Sequence, residues 1–161
     1  MKAYLAGPDV FRPDALAWAA EARALCAAFG VEALVPLDSV LTRADEIYRH
    51  NLALIAQADV VLANLDSFRG AEPDSGTCFE AGYAVALGKR VIGYTTEPAD
   101  SHSRLRAWQG QAPELVEGVL RDRDGWLVEN FGHPANLMLA ESAAAIVAGG
   151  LEAALRRLTA G

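Results

Sequence analysis

The amino-acid sequence predicts an α/β protein: a three-layer, doubly wound parallel sheet in flavodoxin-like (Rossmann-like) strand order. Three observations predict it. Short β-type runs alternate with helical stretches as far as Tyr94, the pattern that right-handed crossovers between parallel strands produce. The run Asp59–Leu65 (DVVLANL) is apolar enough to be covered on both faces, as an inner parallel strand is. Glycine or proline punctuates most of the element ends, at Gly7-Pro8, Gly30, Pro36 and Gly88.

Lys2–Ala6 reads as a first strand that stops at the turn signal Gly7-Pro8-Asp9. Pro13–Phe29 reads as a helix: proline suits its first turn, Ala and Leu dominate, and Gly30 ends it. Ala33-Leu34-Val35 is a second short strand, closed by Pro36. Thr42–Ala58 is a second helix, with Ile47, Leu52, Leu54 and Ile55 apolar and Arg43, Glu46 and Arg49 among its polar positions. Asp59–Leu65 is the clearest strand, and the loop Asp66–Pro73 leads from it into an apolar helix that ends at Gly88. Arg90–Tyr94 follows as a strand. Thr95–Phe131 is rich in Pro, Gly, Asp and Arg and lacks a long periodic helix, which marks a functional or poorly ordered loop. Pro134–Ala148 returns to a helical pattern, and Gly149-Gly150 separates it from a last helix, Leu151–Leu158.

At 161 residues the chain suits one domain with a proper core. Its 52% hydrophobic and 22% charged residues are the profile of a soluble globular protein. A net charge of −7 argues against nucleic-acid backbones as partners. Cys26 and Cys78 both fall in predicted helices and read as small core residues. His50, His102 and His133 have no ligand spacing with each other or with cysteine, so no metal is expected. No signal peptide or membrane-length apolar run is visible, and a cytoplasmic protein is the expectation.

One residue interrupts the apolar helix before Gly88: Glu80. A buried carboxylate costs several kcal/mol unless it is paired or hydrogen-bonded. A structural reading makes Thr77 an N-cap and Glu80 its capping-box partner. A chemical reading makes Glu80 a catalytic carboxylate near a helix N-terminus, where free N–H groups and the dipole favour an anion. Asp74 just upstream, in a glycine-containing turn, and Gly82, which leaves space beside Glu80, favour the second.

Ligands of open parallel sheets bind at the carboxyl ends of strands. There the chain carries Gly7-Pro8-Asp9-Val10-Phe11 after its first strand and Asp74 and Glu80 after its third. Were the first and third strands neighbours, Tyr4 could point towards Glu80, hold its rotamer and keep it ionised; an ordinary strand aromatic is the other reading. G-x-G-x-x-G, P-loop and G-x-S-x-G signatures are absent. Carboxylate chemistry without metal or cofactor remains, most naturally cleavage of a glycosidic bond with one carboxylate as nucleophile.

Tyr4-Leu5-Ala6-Gly7-Pro8-Asp9-Val10-Phe11, Phe68–Thr77 running into Phe79-Glu80-Ala81-Gly82, and Gly132–Leu139 together resemble the nucleoside 2-deoxyribosyltransferases. With the Asn51–Asp59 helix, the resemblance spans nearly the whole chain as a single domain, 1–161, and Asp-Ser-Gly-Thr-x-x-Glu-x-Gly is its specific part. It implies a covalent two-step transfer. Glu80 would attack C1′ of a 2′-deoxynucleoside, and a free nucleobase would then attack the deoxyribosyl ester, with retention at C1′. Tyr4 would orient Glu80, and Asp74 would bind sugar hydroxyls. Gly7, Pro8, Asp9, Phe11 and Gly76 would border the substrate, with Phe11 either stacking on the base or serving as a core or lid aromatic. The resemblance also implies a homo-oligomer whose Asn136 and Met138 complete a neighbour's site. Some members carry an aspartate that protonates the leaving base; the matching position here is Asn51, an amide that cannot act as an acid. Asp9 or solvent is the candidate replacement.

Asp38 and Arg69 read as a surface turn acid and a loop cation rather than site residues. Two alternatives stand beside transfer. One is an N-glycosidase acting on a nucleoside or a deoxynucleoside 5′-monophosphate, disfavoured for the monophosphate because Asp9 would face the phosphate. The other is a non-catalytic nucleotide-sensing module, which would tolerate Glu80→Gln.

Overall fold

The computed structural model describes residues 1–37, 41–97 and 100–160; Asp38 lies outside them. A five-stranded parallel sheet forms the middle layer, in the order β2-β1-β3-β4-β7. Its strands are β1 (Lys2–Ala6), β2 (Glu32–Leu34), β3 (Val60–Asn64), β4 (Arg90–Thr95) and β7 (Ala145–Ala148). The order and layering are those the sequence predicts. Pairing sets Tyr4 beside Leu34 on one side and Val61 on the other, so β1 and β3 are neighbours.

The pleat of β1 sends alternate side chains to opposite layers. Ala3 and Leu5 join a core with α1 (Ala15–Ala28) and α6 (Leu151–Thr159), through Ala19, Cys26, Leu155 and Leu158. Tyr4 and Ala6 face the other way, against α2 (Ala44–Gln57) and α3 (Ser75–Ala86), where Leu54, Ile55, Ala81 and Ala84 pack. All five residues of β3 are buried, as expected of a central parallel strand covered on both faces.

Two expectations are corrected. Pro134–Ala148 is not one helix: a short α5 (Leu137–Ser142) gives way to β7, which pairs with β4 from Ile92↔Ala145 to Thr95↔Ala148. The alanines of this stretch favour helix, but Ile146 and Val147 suit a strand, and the ladder offered by β4 overrides local propensity. Thr95–Phe131 is also more ordered than its composition suggests. It holds α4 (Ser101–Gln109), β5 (Glu114–Val116) and β6 (Val119–Arg121). Asp100 caps α4 by accepting from Ser103 N at 2.8 Å, and Gly110 closes it at φ 72°. β5 and β6 are an antiparallel hairpin turned by Glu117 and Gly118, both at positive φ (52° and 80°), as a two-residue type I′ turn requires.

Candidate active site

Three elements converge on Glu80. β1 supplies Tyr4, whose phenol donates to Glu80 Oε1 at 2.6 Å. α2 supplies Asn51, whose Nδ2 donates to the same oxygen at 3.4 Å. α3 carries Glu80 itself, one helical turn from buried Thr77 and Ala84. Tyr4 and Glu80 are 76 positions apart in the sequence, and the register of β1 against β3 brings them together.

The start of α3 differs from the capping-box reading. Asp74, not Thr77, is the N-cap: its Oδ2 accepts from Thr77 N at 2.9 Å and from Thr77 Oγ1 at 3.1 Å. Aspartate is among the strongest N-caps, and its capture of the first turn leaves the Glu80 carboxylate to Tyr4 and Asn51. A side chain at position 76 would bring its Cβ to 3.0 Å from Asp74 Oδ2, so Gly76 keeps that capping oxygen uncrowded.

Burial dominates the electrostatics of Glu80. Loss of hydration pushes its pKa up to about 7; the Tyr4 and Asn51 hydrogen bonds pull it down, and Asp74 adds a small push upwards. The phenol therefore favours the ionised carboxylate, the direction the sequence predicts, and burial opposes it more strongly. Tyr4 is itself driven well above the usual phenol range, by burial first and then by the Glu80 charge, so it remains a donor.

Glu80 opens into a cavity of about 360 Å³ with Asn51, Asp74, Gly76, Gly7 and Phe11 on its walls. The apolar remainder, Val10, Pro36, Leu37, Leu41 and Ile47, was not singled out as site by the sequence. One signal was available: Ile47, Asn51, Leu54, Ile55 and Ala58 share one helical stripe. An amide in that stripe marks where the core ends and the cavity begins. Asn51 Oδ1 is buried without a hydrogen-bond partner, since only its amide nitrogen can face a carboxylate.

Other expected site residues lie elsewhere. Pro8 begins a 3-10 turn, Pro8–Phe11, and is not on the cavity wall. The Asp9 carboxylate is buried and accepts from Asn64 Nδ2 at 2.8 Å, with Arg12 Nη1 at 3.8 Å from its other oxygen. It does not line the cavity, because the amide at the end of β3 draws it inward. Gly7 serves that same arrangement: a Cβ there would sit 2.9 Å from both Asn64 Cβ and Asp9 Oδ2. Asn136 caps α5, accepting from Met138 N at 3.0 Å and donating to Glu129 Oε1 at 2.9 Å. With Met138 it borders a separate groove of about 830 Å³ on the far side of α3. Gly82 borders that groove and not the Glu80 cavity, so the room it leaves is not beside the carboxylate.

Arg104, a further residue that sequence reasoning missed, braces the neighbouring strand ends. Its buried guanidinium donates to Leu65 O (2.7 Å), Thr95 Oγ1 (2.6 Å) and Glu97 O (3.1 Å). Among the described residues, no helix is long and apolar enough to cross a membrane.

Comparison with known proteins places the chain in a family and a fold. A family model described as nucleoside 2-deoxyribosyltransferase matches residues 3–138. The solved structure of the 2-desoxiribosyltransferase from Leishmania mexicana is similar over 99% of this chain and 97% of its own, with 36% identity and a TM-score of 0.81. An uncharacterised protein of Schizosaccharomyces pombe is 31% identical over 154 residues, 84% of this chain and 73% of its own. The CMP N-glycosidase of Clostridium botulinum, at 15% identity and a TM-score of 0.56 over the full length of both chains, shares the fold.

Proposed function

The chain belongs to the nucleoside 2-deoxyribosyltransferase family, and on that premise we propose that it exchanges nucleobases on 2′-deoxyribose through a covalent deoxyribosyl–Glu80 ester. Glu80 attacks C1′ on the face opposite the base. The C–O bond forms as the C1′–N bond breaks, and the base leaves with the bonding pair and takes up a proton. The nitrogen of an incoming base then attacks C1′, the base gives up a proton to solvent, and the carboxylate is released. Two inversions give net retention.

The observation that carries this reading is the division of labour at the carboxylate. Both hydrogen bonds land on Oε1, which leaves Oε2 as the attacking oxygen while the phenol fixes its aim. Asp74 on the cavity wall retains Oδ1 for a sugar hydroxyl, its Oδ2 being committed to the cap. A partner copy of the chain is the natural cover for the cavity mouth, and Asn136 and Met138 are the residues it would bring. The test is base exchange between deoxyinosine or thymidine and free adenine, followed by chromatography. Deoxyadenosine formed by the wild type and not by Glu80→Ala supports transfer. Free base released without exchange would reassign the protein as an N-glycosidase.

A further inference from the structure

The departing base needs a partner for the electrons it takes, and the two residues first considered do not supply a proton. Asn51 is an amide, and Asp9 is turned to Asn64 outside the cavity. A cation stands close by. Phe11, on the cavity wall, stacks on Phe68 with ring centroids 5.5 Å apart and planes at 14°. The Arg69 guanidinium lies over both rings, 5.3 Å from Phe11 and 4.7 Å from Phe68. No hydrogen bond or ion pair engages Arg69 among the described residues, so its donors are unspent. Its backbone sits at φ 54°, a conformation that costs a non-glycine residue free energy. Arg69 also borders a cavity of about 330 Å³ that shares Asp74 as a wall residue with the Glu80 cavity.

We propose that Arg69 reads the nucleobase, donating to O6 and N7 of a 6-oxopurine and stabilising the charge that grows on it as the C1′–N9 bond breaks. This rests on the transfer reading above. A guanidinium fork matches two adjacent acceptors, whereas adenine presents N7 beside an N6 amino donor that opposes it. A phosphate is the weaker alternative ligand, because Glu72 and Asp74 border the same cavity and would repel it. Arg69 cannot act as a proton donor; it acts by charge and hydrogen bonding, and solvent protonates the base.

The experiment compares kcat/KM for deoxyinosine, 7-deaza-2′-deoxyinosine and deoxyadenosine in wild type and Arg69→Met, which keeps a flexible apolar cover for the rings. Wild type is expected to favour deoxyinosine over deoxyadenosine by roughly tenfold or more, and Arg69→Met to erase most of that ratio. The 7-deaza donor should lose activity in wild type and lose little further in the variant. An unchanged ratio, or equal losses on all three donors, overturns the assignment. So does a loss confined to 5′-monophosphate donors, which would mark a phosphate site. Calorimetric binding of hypoxanthine and adenine to both proteins is read in parallel. If wild type exchanges no base, the transfer reading fails; a hypoxanthine preference that Arg69→Met removes would still uphold the base contact, and its absence would overturn it.

Discussion

The Tyr4 phenol donates to Glu80 Oε1 at 2.6 Å, a contact between the first strand and the third helix. Removing it with Tyr4→Phe takes away a bond that holds the Glu80 pKa down. The acid limb of the pH–rate profile is therefore expected to move upwards by about one to two units, given ~1.5–3 kcal/mol for a hydrogen bond to a charged group. Transfer at pH 6 should fall more than transfer at pH 8. An unmoved limb would mean that the phenol serves packing alone.

On the proposed mechanism Glu80 must be ionised to attack, and its pKa stands at about 7. The rate is expected to fall roughly tenfold for each unit below that value and to level off above it. A flat profile between pH 5 and 8, measured by base exchange, would remove Glu80 from the nucleophile's role.

The same titration bears on stability, with the opposite sense. The folded-state pKa is raised from 4.5 to about 7, so this contribution is fully present below about 4.5 and lost as pH rises through 7. Ionised Glu80 costs the fold about 1–2 kcal/mol at pH 8, once its partial exposure is allowed for. Glu80→Gln is expected to abolish transfer, by roughly 10³-fold or more, and to raise Tm at pH 8 by several degrees relative to its effect at pH 5. Calorimetry at the two pH values checks the sign.

Asp74 holds the first turn of α3 and borders the cavity at once, and two substitutions separate these duties. Asp74→Ala should cost about 1 kcal/mol of stability as well as activity, whereas Asp74→Ser should keep most of the cap and still lose activity. Equal activity in Asp74→Ser and wild type would confine Asp74 to the cap.

Arg104 answers two backbone carbonyls and the Thr95 hydroxyl from a buried position. Arg104→Leu leaves those acceptors dry and should destabilise by about 2–4 kcal/mol, as loss of buried hydrogen bonds to a charged group does. A chemical-denaturation midpoint shift well below that would show that water replaces the guanidinium.

The sequence made the layers, the strand order and the Tyr4–Glu80 pair legible because these rest on patterns: apolar runs, helical stripes and polar interruptions of them. Glu80 could be singled out because it interrupts an apolar helix, whereas Asn51 was reached through the family resemblance. What escaped depends on partners far along the chain. β7 looked helical because Ala143-Ala144-Ala145 carries helix propensity, and only the open edge of β4 makes a strand of it. Asp9 looked like a site acid because it follows a strand end, and only Asn64, 55 positions later, shows that it points inward. The Thr77 cap failed for a local reason: Asp74 competes for the same N–H and wins.

The fifth strand comes from residues 145–148, close to the end of the chain, yet it covers the flank of β4, whose last five residues are buried. A chain stopped short of Ala145 would present Ile92–Thr95 as a bare, apolar border with its hydrogen-bonding groups unanswered. Such a border invites a second chain to dock there. Shortened products of this gene should therefore accumulate as aggregates rather than as weakened enzymes, and light scattering would register the difference before any assay of turnover.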